Sequence, residues 1–347
     1  AFNRSYVRDS LIAYGKYLAD NLRIDGFRLF EANYLDLEFV LDWADAFKET
    51  DNYSIVDYTG DKKYYDLILK NKDVINNSNL LIPDYQIRDV LVDFCENTDG
   101  NFNLSVFDDL GFINKGINPN NVLHLLETSE FDKTNWQNIK EKGDMSIKGD
   151  KKAAYAYILF SEGKPSIFFR DYYINGLKDY LDLLVLARAK YIRGKTYNRF
   201  DINAFVIRDD KKQSQSLLAK DLYIAYRSDK EDGTGSYLLI NDDRRHSMVV
   251  YADTHLPIGH KISNILNENA FAEVIKPTVN SVQNRIKFTI APNTCAIFLT
   301  DSLLQFNNPP VLAKVNNLTA FSDSKFYYKL LFNDANNDYV TFNLKKA

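Results

Sequence analysis

The stretch Ile24-Asp25-Gly26-Phe27-Arg28-Leu29 is a short, largely apolar run that opens with a turn, and it predicts a buried β-strand. Just before it, apolar side chains recur at helical spacing over 6–21 and predict an amphipathic helix. Beyond it, strand-like segments at 53–58, 105–107, 122–126 and 165–173 alternate with helix-like segments at 35–48, 62–72, 151–161 and 177–191. Strands that alternate with helices of about 10–15 residues predict parallel β/α units.

The pattern changes after Arg193 to short alternating runs separated by turn residues such as Asp232-Gly233. These runs lie at 204–207, 222–227, 237–240, 248–251, 286–290 and 295–299. They predict an antiparallel β-domain. A third segment follows the linker-like stretch Asn307-Asn308-Pro309-Pro310. We therefore expect three regions, at 1–195, 196–304 and 305–347.

Composition narrows the class of protein. The 347 residues are 45% apolar and 26% charged, with a formal net charge of −4. This mildly acidic balance gives a nucleic-acid partner no electrostatic support. No uncharged apolar run of about 18 residues exists, so we predict no membrane span. Cys95 and Cys295 lie far apart in the sequence, which does not show whether they form a disulfide. The start at Ala1 without a signal peptide suggests a processed or excised chain.

Several stretches carry a resemblance to a known family. The run 7–29 resembles the helix and fourth strand of the α-amylase family, glycoside hydrolase family 13, whose strand ends in Asp-Gly-Phe-Arg-hydrophobic-Asp. The stretch 101–108 resembles the sixth-strand region of that family. Residues 153–159 and 163–173 resemble its seventh helix and eighth strand, and 181–191 resemble its last barrel helix. Residues 200–302 resemble its C-terminal β-domain. The resemblance covers about 1–302.

The resemblance implies an α/β fold that is only part of a (β/α)8 barrel. It supplies strands four to eight of the eight that such a barrel needs, then an antiparallel β-sandwich domain and a short β-rich tail. A five-stranded remnant would expose two sheet edges. We therefore expect a preceding barrel half, from the same precursor or from a partner chain, to complete the barrel.

The resemblance also implies where catalytic residues should lie. Retaining glycosidases use a nucleophilic carboxylate and a general acid about 5–5.5 Å apart. The nucleophile position falls on Phe30, which cannot form a glycosyl ester. The acid position falls on Asp57, where the family has Glu, and the third carboxylate on Glu130. Glu31 is adjacent, but alternation of side chains along a strand predicts that it faces away from the site.

Four further positions correspond to the family's substrate-contacting set: Arg28, Tyr34, Ser129 and Asp171. Tyr34 and Ser129 stand where the family has histidines. Arg28 pairs with the nucleophile in the family, and here that partner is missing. Because an unpaired buried guanidinium is costly, we predict that Arg28 pairs with Asp57 or Glu130 and favour a structural ion pair over a catalytic role.

No metal-site residue and no cofactor is predicted. The four histidines do not have zinc-motif spacing, and His124 is expected to pack inside the fold. Calcium is the one ion considered, through the loop acids Asp99, Asp108 and Asp109. The stretch 308–342 resembles the start of a cadherin-like or immunoglobulin-like repeat, in which an Asp-rich turn such as 334–338 often sits at a calcium site.

The function that follows is a catalytically inactive, amylase-like module of a larger secreted or cell-surface protein, with a scaffold role or retained binding of an α-glucan or other glycan. One alternative is an active α-glucan hydrolase or transglycosylase that uses Asp57 and Glu130 as an inverting pair. Contact of both carboxylates with Arg28 would argue against it. Another alternative is a structural subunit of a surface assembly. Enzymatic activity is left open, with its absence favoured.

Overall fold

The computed structural model describes residues 4–50, 52–58, 62–97, 99–133, 144–208, 220–266, 270–277, 282–300, 311–312 and 332–333. The chain forms two compact units, Ala1–Thr300 and Asp301–Ala347. The first unit combines a parallel sheet covered by helices with two antiparallel sheets, so the predicted α/β class is confirmed in this mixed form.

A parallel sheet of five strands organises the first part of the chain. In sheet order these are β1 (Gly26–Leu29), β2 (Tyr53–Val56), β3 (Leu80–Pro83), β4 (Val122–His124) and β5 (Lys164–Pro165), each parallel to its neighbour. The helices described here are α1 (Ser5–Leu22), α2 (Leu37–Phe47), α3 (Lys62–Lys70), α4 (Lys72–Asn76), α5 (Tyr85–Glu96), α6 (Lys152–Phe160), α7 (Phe169–Tyr173) and α8 (Lys178–Lys190).

The helices cover one face of this sheet. Val56, Ile82 and Val122 form a buried cluster with apolar residues of α2, α3 and α4. Successive side chains of a strand point to opposite faces, so Leu81 and Leu123 lie on the other face. We call this second face the inner face.

Side chains from distant strands meet over the inner face. Arg28 of β1 lies 3.5 Å from Glu130, which follows β4. Lys164 of β5 places its ammonium group 5.9 Å from the ring centre of Tyr53 in β2. Neighbouring strands are about 4.8 Å apart, so three steps across a flat sheet span about 14 Å. The two contacts therefore indicate that the sheet curves around its inner face.

Two strand predictions are wrong. Residues 105–107 lie in a 3-10 helix, Leu104–Asp109, because the Asn103 side chain accepts a hydrogen bond from the Ser105 N–H and turns the chain. The strand between β2 and β4 is instead Leu80–Pro83, which was missed, so the resemblance of 101–108 to a sixth strand fails. The predicted strand over 165–173 is reduced to β5, and α7 follows it.

Two antiparallel sheets follow the parallel one, as predicted. One has the order β12-β13-β10-β7 and the other β11-β14-β9-β8-β6. Their bounds are β6 Lys195–Asn198, β7 Phe205–Arg208, β8 Leu222–Ser228, β9 Ser236–Asn241, β10 Met248–Thr254, β11 Ser263–Asn264, β12 Ala270–Ile275, β13 Asn284–Ile290 and β14 Thr294–Leu299. Both sheets contribute to one apolar core, in which Ile224 and Phe298 meet Val250 and Phe288.

The second unit is described only at one pair of short strands. Here β15 (Val311–Leu312) pairs with β16 (Phe332–Asn333) in antiparallel fashion. The predicted linker at 307–310 and the Asp-rich turn at 334–338 lie outside the described residues. In the part of the chain that the structure describes, no helix is both long enough and apolar enough to cross a membrane.

Candidate functional site

The predicted site lies where the parallel strands end. Arg28 is in β1, and Phe30 follows that strand directly. Asp57 follows β2, Tyr85 opens α5 just after β3, and Glu130 lies on the turn after β4. Carboxyl ends of parallel strands share one sheet edge, which is where α/β proteins commonly place their sites.

Arg28 holds both predicted carboxylates. Its Nε donates to Asp57 Oδ2 at 3.1 Å, and its Nη2 contacts the same oxygen. The same Nη2 lies 3.5 Å from Glu130 Oε1. The Tyr85 hydroxyl donates to the other oxygen of Asp57, whose side chain is only 5% exposed. The prediction that Arg28 pairs with Asp57 or Glu130 is confirmed, and it pairs with both.

The electrostatics of the cluster favour its charged form. Burial disfavours the Arg28 charge, but the hydrogen bond and charge of Asp57 outweigh burial and raise the Arg28 pKa. Burial alone would raise the pKa of Glu130, yet hydrogen bonding to Thr128 and the Arg28 charge lower it. Burial, then the hydrogen bond to Asp57, raise the pKa of Tyr85, which stays a donor.

Phe30 lies beside this cluster with 51% of its surface exposed. The guanidinium carbon of Arg28 is 5.3 Å from the centre of its ring, a cation–π distance. The strand ends at Leu29, and Glu31 has a left-handed φ of 49° at the start of a 3-10 helix. Strand alternation therefore stops before Glu31 and does not define the direction of its side chain.

The other predicted contact residues divide into two groups. Tyr34 is 81% exposed, and Ser129 is exposed on the turn after β4. Asp171 is instead fully buried and accepts hydrogen bonds from Lys151 at 2.8 Å, Tyr155 at 2.6 Å and Asn175 at 2.8 Å. The structure thus places Asp171 in a buried network, at the wall of a cavity of about 470 Å³ that Lys151 and Arg170 also line.

That internal network was missed by sequence reasoning. Lys151 Nζ lies 3.0 Å from Glu127 Oε1 and 2.8 Å from Asp171 Oδ1, and both carboxylate side chains are 0% exposed. Glu127 also accepts from the Ile147 N–H at 2.6 Å. Burial opposes the Lys151 charge, but the two carboxylates outweigh it and raise the Lys151 pKa. No motif or spacing links residues 127, 151 and 171, so the sequence carried no signal for it.

Cations thus pair with five carboxylates along this edge of the sheet, whereas Asp84, which follows β3, accepts backbone N–H groups instead. Arg28 forms ion pairs with Asp57 and Glu130, and Lys151 forms ion pairs with Glu127 and Asp171. In the same region Arg170 lies 2.8 Å from Asp132. The arrangement therefore keeps each of these carboxylates within 4 Å of a basic side chain.

Two of the three loop acids considered for calcium pair with basic side chains. Asp108 lies 3.0 Å from Arg199, and Asp109 lies 2.6 Å from Lys115. Among the described residues, no group of three or more His, Cys, Asp or Glu could hold a metal ion. His124 is buried, as predicted.

Comparison with models of known protein families and with curated proteins finds no match for this chain.

Proposed function

We propose that this chain is a catalytically inactive module related to the α-amylase family, with a scaffold or glycan-contacting role in a secreted or cell-surface protein. The observation that carries the proposal is the contact of Arg28 with both Asp57 and Glu130. The residues that would supply acid and base chemistry are neutralised within the fold. The position expected for the nucleophile is a phenylalanine.

The proposed architecture is strands four to eight of a (β/α)8 barrel followed by a β-sandwich domain. The curvature of the sheet and its helix-covered outer face support the barrel. Parallel sheets are normally covered on both faces, whereas the inner-face residue Leu123 is only partly buried. The exposed tyrosines Tyr6, Tyr14 and Tyr17 on α1 support a covering segment near the free edge of β1. A preceding barrel half, in the same precursor or on a partner chain, would fit there.

The alternative of an active enzyme with an inverting pair is disfavoured by the same contacts. Inverting glycosidases separate their two carboxyl groups by about 6.5–9.5 Å and place a water molecule between the base and the sugar. Here one guanidinium nitrogen contacts both carboxylates, and the Phe30 ring lies beside it. Asp57 is engaged by Arg28 and Tyr85, and the second oxygen of Glu130, which has no hydrogen-bond partner among the described residues, is buried away from solvent.

Loss of chemistry is tested by asking whether the nucleophile alone can be restored. We expect no turnover of starch, maltooligosaccharides or sucrose by the wild-type chain or by Phe30→Asp, because Asp57 stays paired with Arg28 and Tyr85. Release of reducing sugar is the measurement, with Asp57→Asn defining the background. The proposal is contradicted if the wild-type chain or Phe30→Asp shows turnover and the further substitution Asp57→Asn abolishes it.

Glycan contact is tested through the exposed rings beside Arg28. Phe30→Ala and Tyr34→Ala should each weaken retention of the chain in an amylose-containing native gel by about threefold or more, since an aromatic contact is worth about 0.5–1.5 kcal/mol. Phe271→Ala is the matched control, because Phe271 is 66% exposed but lies in β12 of an antiparallel sheet. Equal retention of all four proteins would leave only the scaffold role.

A structural subunit of a surface assembly is the second candidate, and the exposed tyrosines of α1 favour it. Native mass spectrometry of material isolated from its source should show the chain in a complex. Tyr14→Glu combined with Tyr17→Glu should weaken that complex, whereas Phe271→Glu should not. A lone stable species of 40.1 kDa contradicts this role.

A further inference from the structure

A cavity lies on the helix-covered side of the parallel sheet. It has a volume of about 440 Å³ and is bounded by the end of β4, by the residues after α6, and by β6 and β8. Val122 packs among the helices, and His124, two residues further along β4, shares that face. Asp57 follows the helix-facing Val56 and lies on the inner side. The cavity is therefore separate from the Arg28 cluster.

His124 on the wall of this cavity has unmet hydrogen-bonding capacity. Its side chain is 1% exposed, and within the described residues neither ring nitrogen has a hydrogen-bond partner. Burial, together with the charges of Arg188 and Arg227, lowers the pKa of His124 to about 3, so the ring is neutral. A neutral imidazole has one hydrogen-bond donor and one acceptor, and a hydroxyl group can form a hydrogen bond with either of them.

The two nearby arginines do not hydrogen-bond to the His124 ring, because they donate to backbone carbonyl oxygens instead. Arg188 donates to the carbonyl oxygens of Leu159 and Ser161, both at 2.7 Å. Arg227 donates to Phe160 O at 2.6 Å and to Gly194 O at 2.7 Å. Their guanidinium groups thus hold backbone turns, while their charge keeps His124 unprotonated.

The remaining walls suit a neutral ligand. One wall consists of Phe107, Tyr157 and Tyr223, whose ring centres are 4.7–5.6 Å apart. Of the charged residues that line the cavity, Asp108 is neutralised by Arg199, and Glu162, which accepts the Thr196 N–H at 2.5 Å, is balanced by the opposite charge of Lys195. Aromatic walls with a few neutral polar groups, at this volume, are typical of small-molecule sites.

We propose that this cavity binds a neutral, hydroxyl-bearing small molecule, a polyol or a monosaccharide, and that a shift of the buried His124 ring toward the cavity lets a hydroxyl group bond to it. The inference does not depend on the proposed function, because it concerns a different face of the sheet and a different set of residues. Glycan binding at Phe30 and Tyr34 could fail while this site persists, or the reverse.

The test uses the full chain labelled with ¹⁵N and ¹³C at its histidines, which number only four. Addition of D-glucose or of glycerol should shift the ring signals of His124 saturably and leave those of His246, His255 and His260 unchanged. His124→Phe identifies the signals and should weaken binding, measured by calorimetry, by about tenfold, the value of one or two buried hydrogen bonds. His255→Gln is the control, since His255 is exposed.

Two results overturn the proposal. One is the absence of a saturable shift at His124 with either compound, which would indicate that the ring forms hydrogen bonds with water only. The other is a parallel drift of all four histidines, which would indicate a solvent effect. The titration of the wild-type chain decides between these outcomes even if His124→Phe fails to fold.

Discussion

Replacing Lys151 with methionine should lower the free energy of unfolding by about 3–5 kcal/mol, the usual cost of breaking a buried ion pair from one side. Lys151 is 8% exposed and is the shared partner of Glu127 and Asp171, both 0% exposed. Methionine fills a similar volume but removes the cation of Asp171 and leaves Glu127 with Arg88 alone, whose Nη2 lies 3.9 Å from Glu127 Oε2. Equilibrium unfolding in urea, followed by circular dichroism, measures the change.

The matched control is Lys148→Met on the same segment. Lys148 is 59% exposed and pairs with Asp144 at 2.7 Å, and an exposed pair is worth about 0–1 kcal/mol. Adding Glu127→Gln and Asp171→Asn to Lys151→Met should recover part of the loss, because neutral amides remove the uncompensated charges. A Lys151→Met variant as stable as Lys148→Met would show that the triad does not hold this edge of the sheet together.

Replacing Gly194 with alanine should cost about 3 kcal/mol or more, through a left-handed backbone and a steric clash together. Gly194 has a φ of +76°, and a Cβ there would lie 2.1 Å from the carbonyl carbon and oxygen of Ser228. Arg227 also donates to the Gly194 carbonyl at 2.7 Å and to that of Phe160 at 2.6 Å. The clash therefore falls where the helical part of the chain joins β6 and β8.

Gly176→Ala separates the two costs. Gly176 has the same φ of +76°, but a Cβ there meets nothing within 4 Å. The free energy of unfolding of Gly176→Ala should fall by only about 1–2 kcal/mol, the cost of a left-handed backbone at alanine. Thermal unfolding of both variants gives the difference, which measures the steric contact with Ser228. Equal losses in the two variants would mean that the backbone at Ser228 moves aside freely.

Local sequence patterns were enough for much of the fold. The helix Ser5–Leu22, the strand Gly26–Leu29 and the helix Lys178–Lys190 all follow from apolar periodicity, which depends only on neighbours along the chain. The change to antiparallel strands near Lys195 follows in the same way. Even the partners of Arg28 could be predicted, because Asp57 and Glu130 were the candidates expected at that edge. The expected burial was wrong, since β1 is an edge strand and the Arg28 side chain is 42% exposed.

The third strand shows where local patterns fail. Leu80-Leu81-Ile82 is a short apolar run without alternation, and 105–107 looked equally strand-like. The side-chain cap at Asn103 decided the second segment, and pairing with Ser54 and Ile55 of β2 decided the first. A fully buried strand is recognised by its neighbours in the sheet rather than by its own period.

The opening stretch Ile24–Leu29 by itself determined a β-strand that carries an arginine needing a partner, because hydrophobicity and charge are properties of single residues. Only the tertiary structure decided that Arg28 holds two carboxylates at once, and that Lys151 joins Glu127 to Asp171. Those contacts join residues that are between 20 and 102 positions apart in the chain. Electrostatic energy depends on distance in space, and no sequence pattern records which distant charges the fold brings within 3–4 Å.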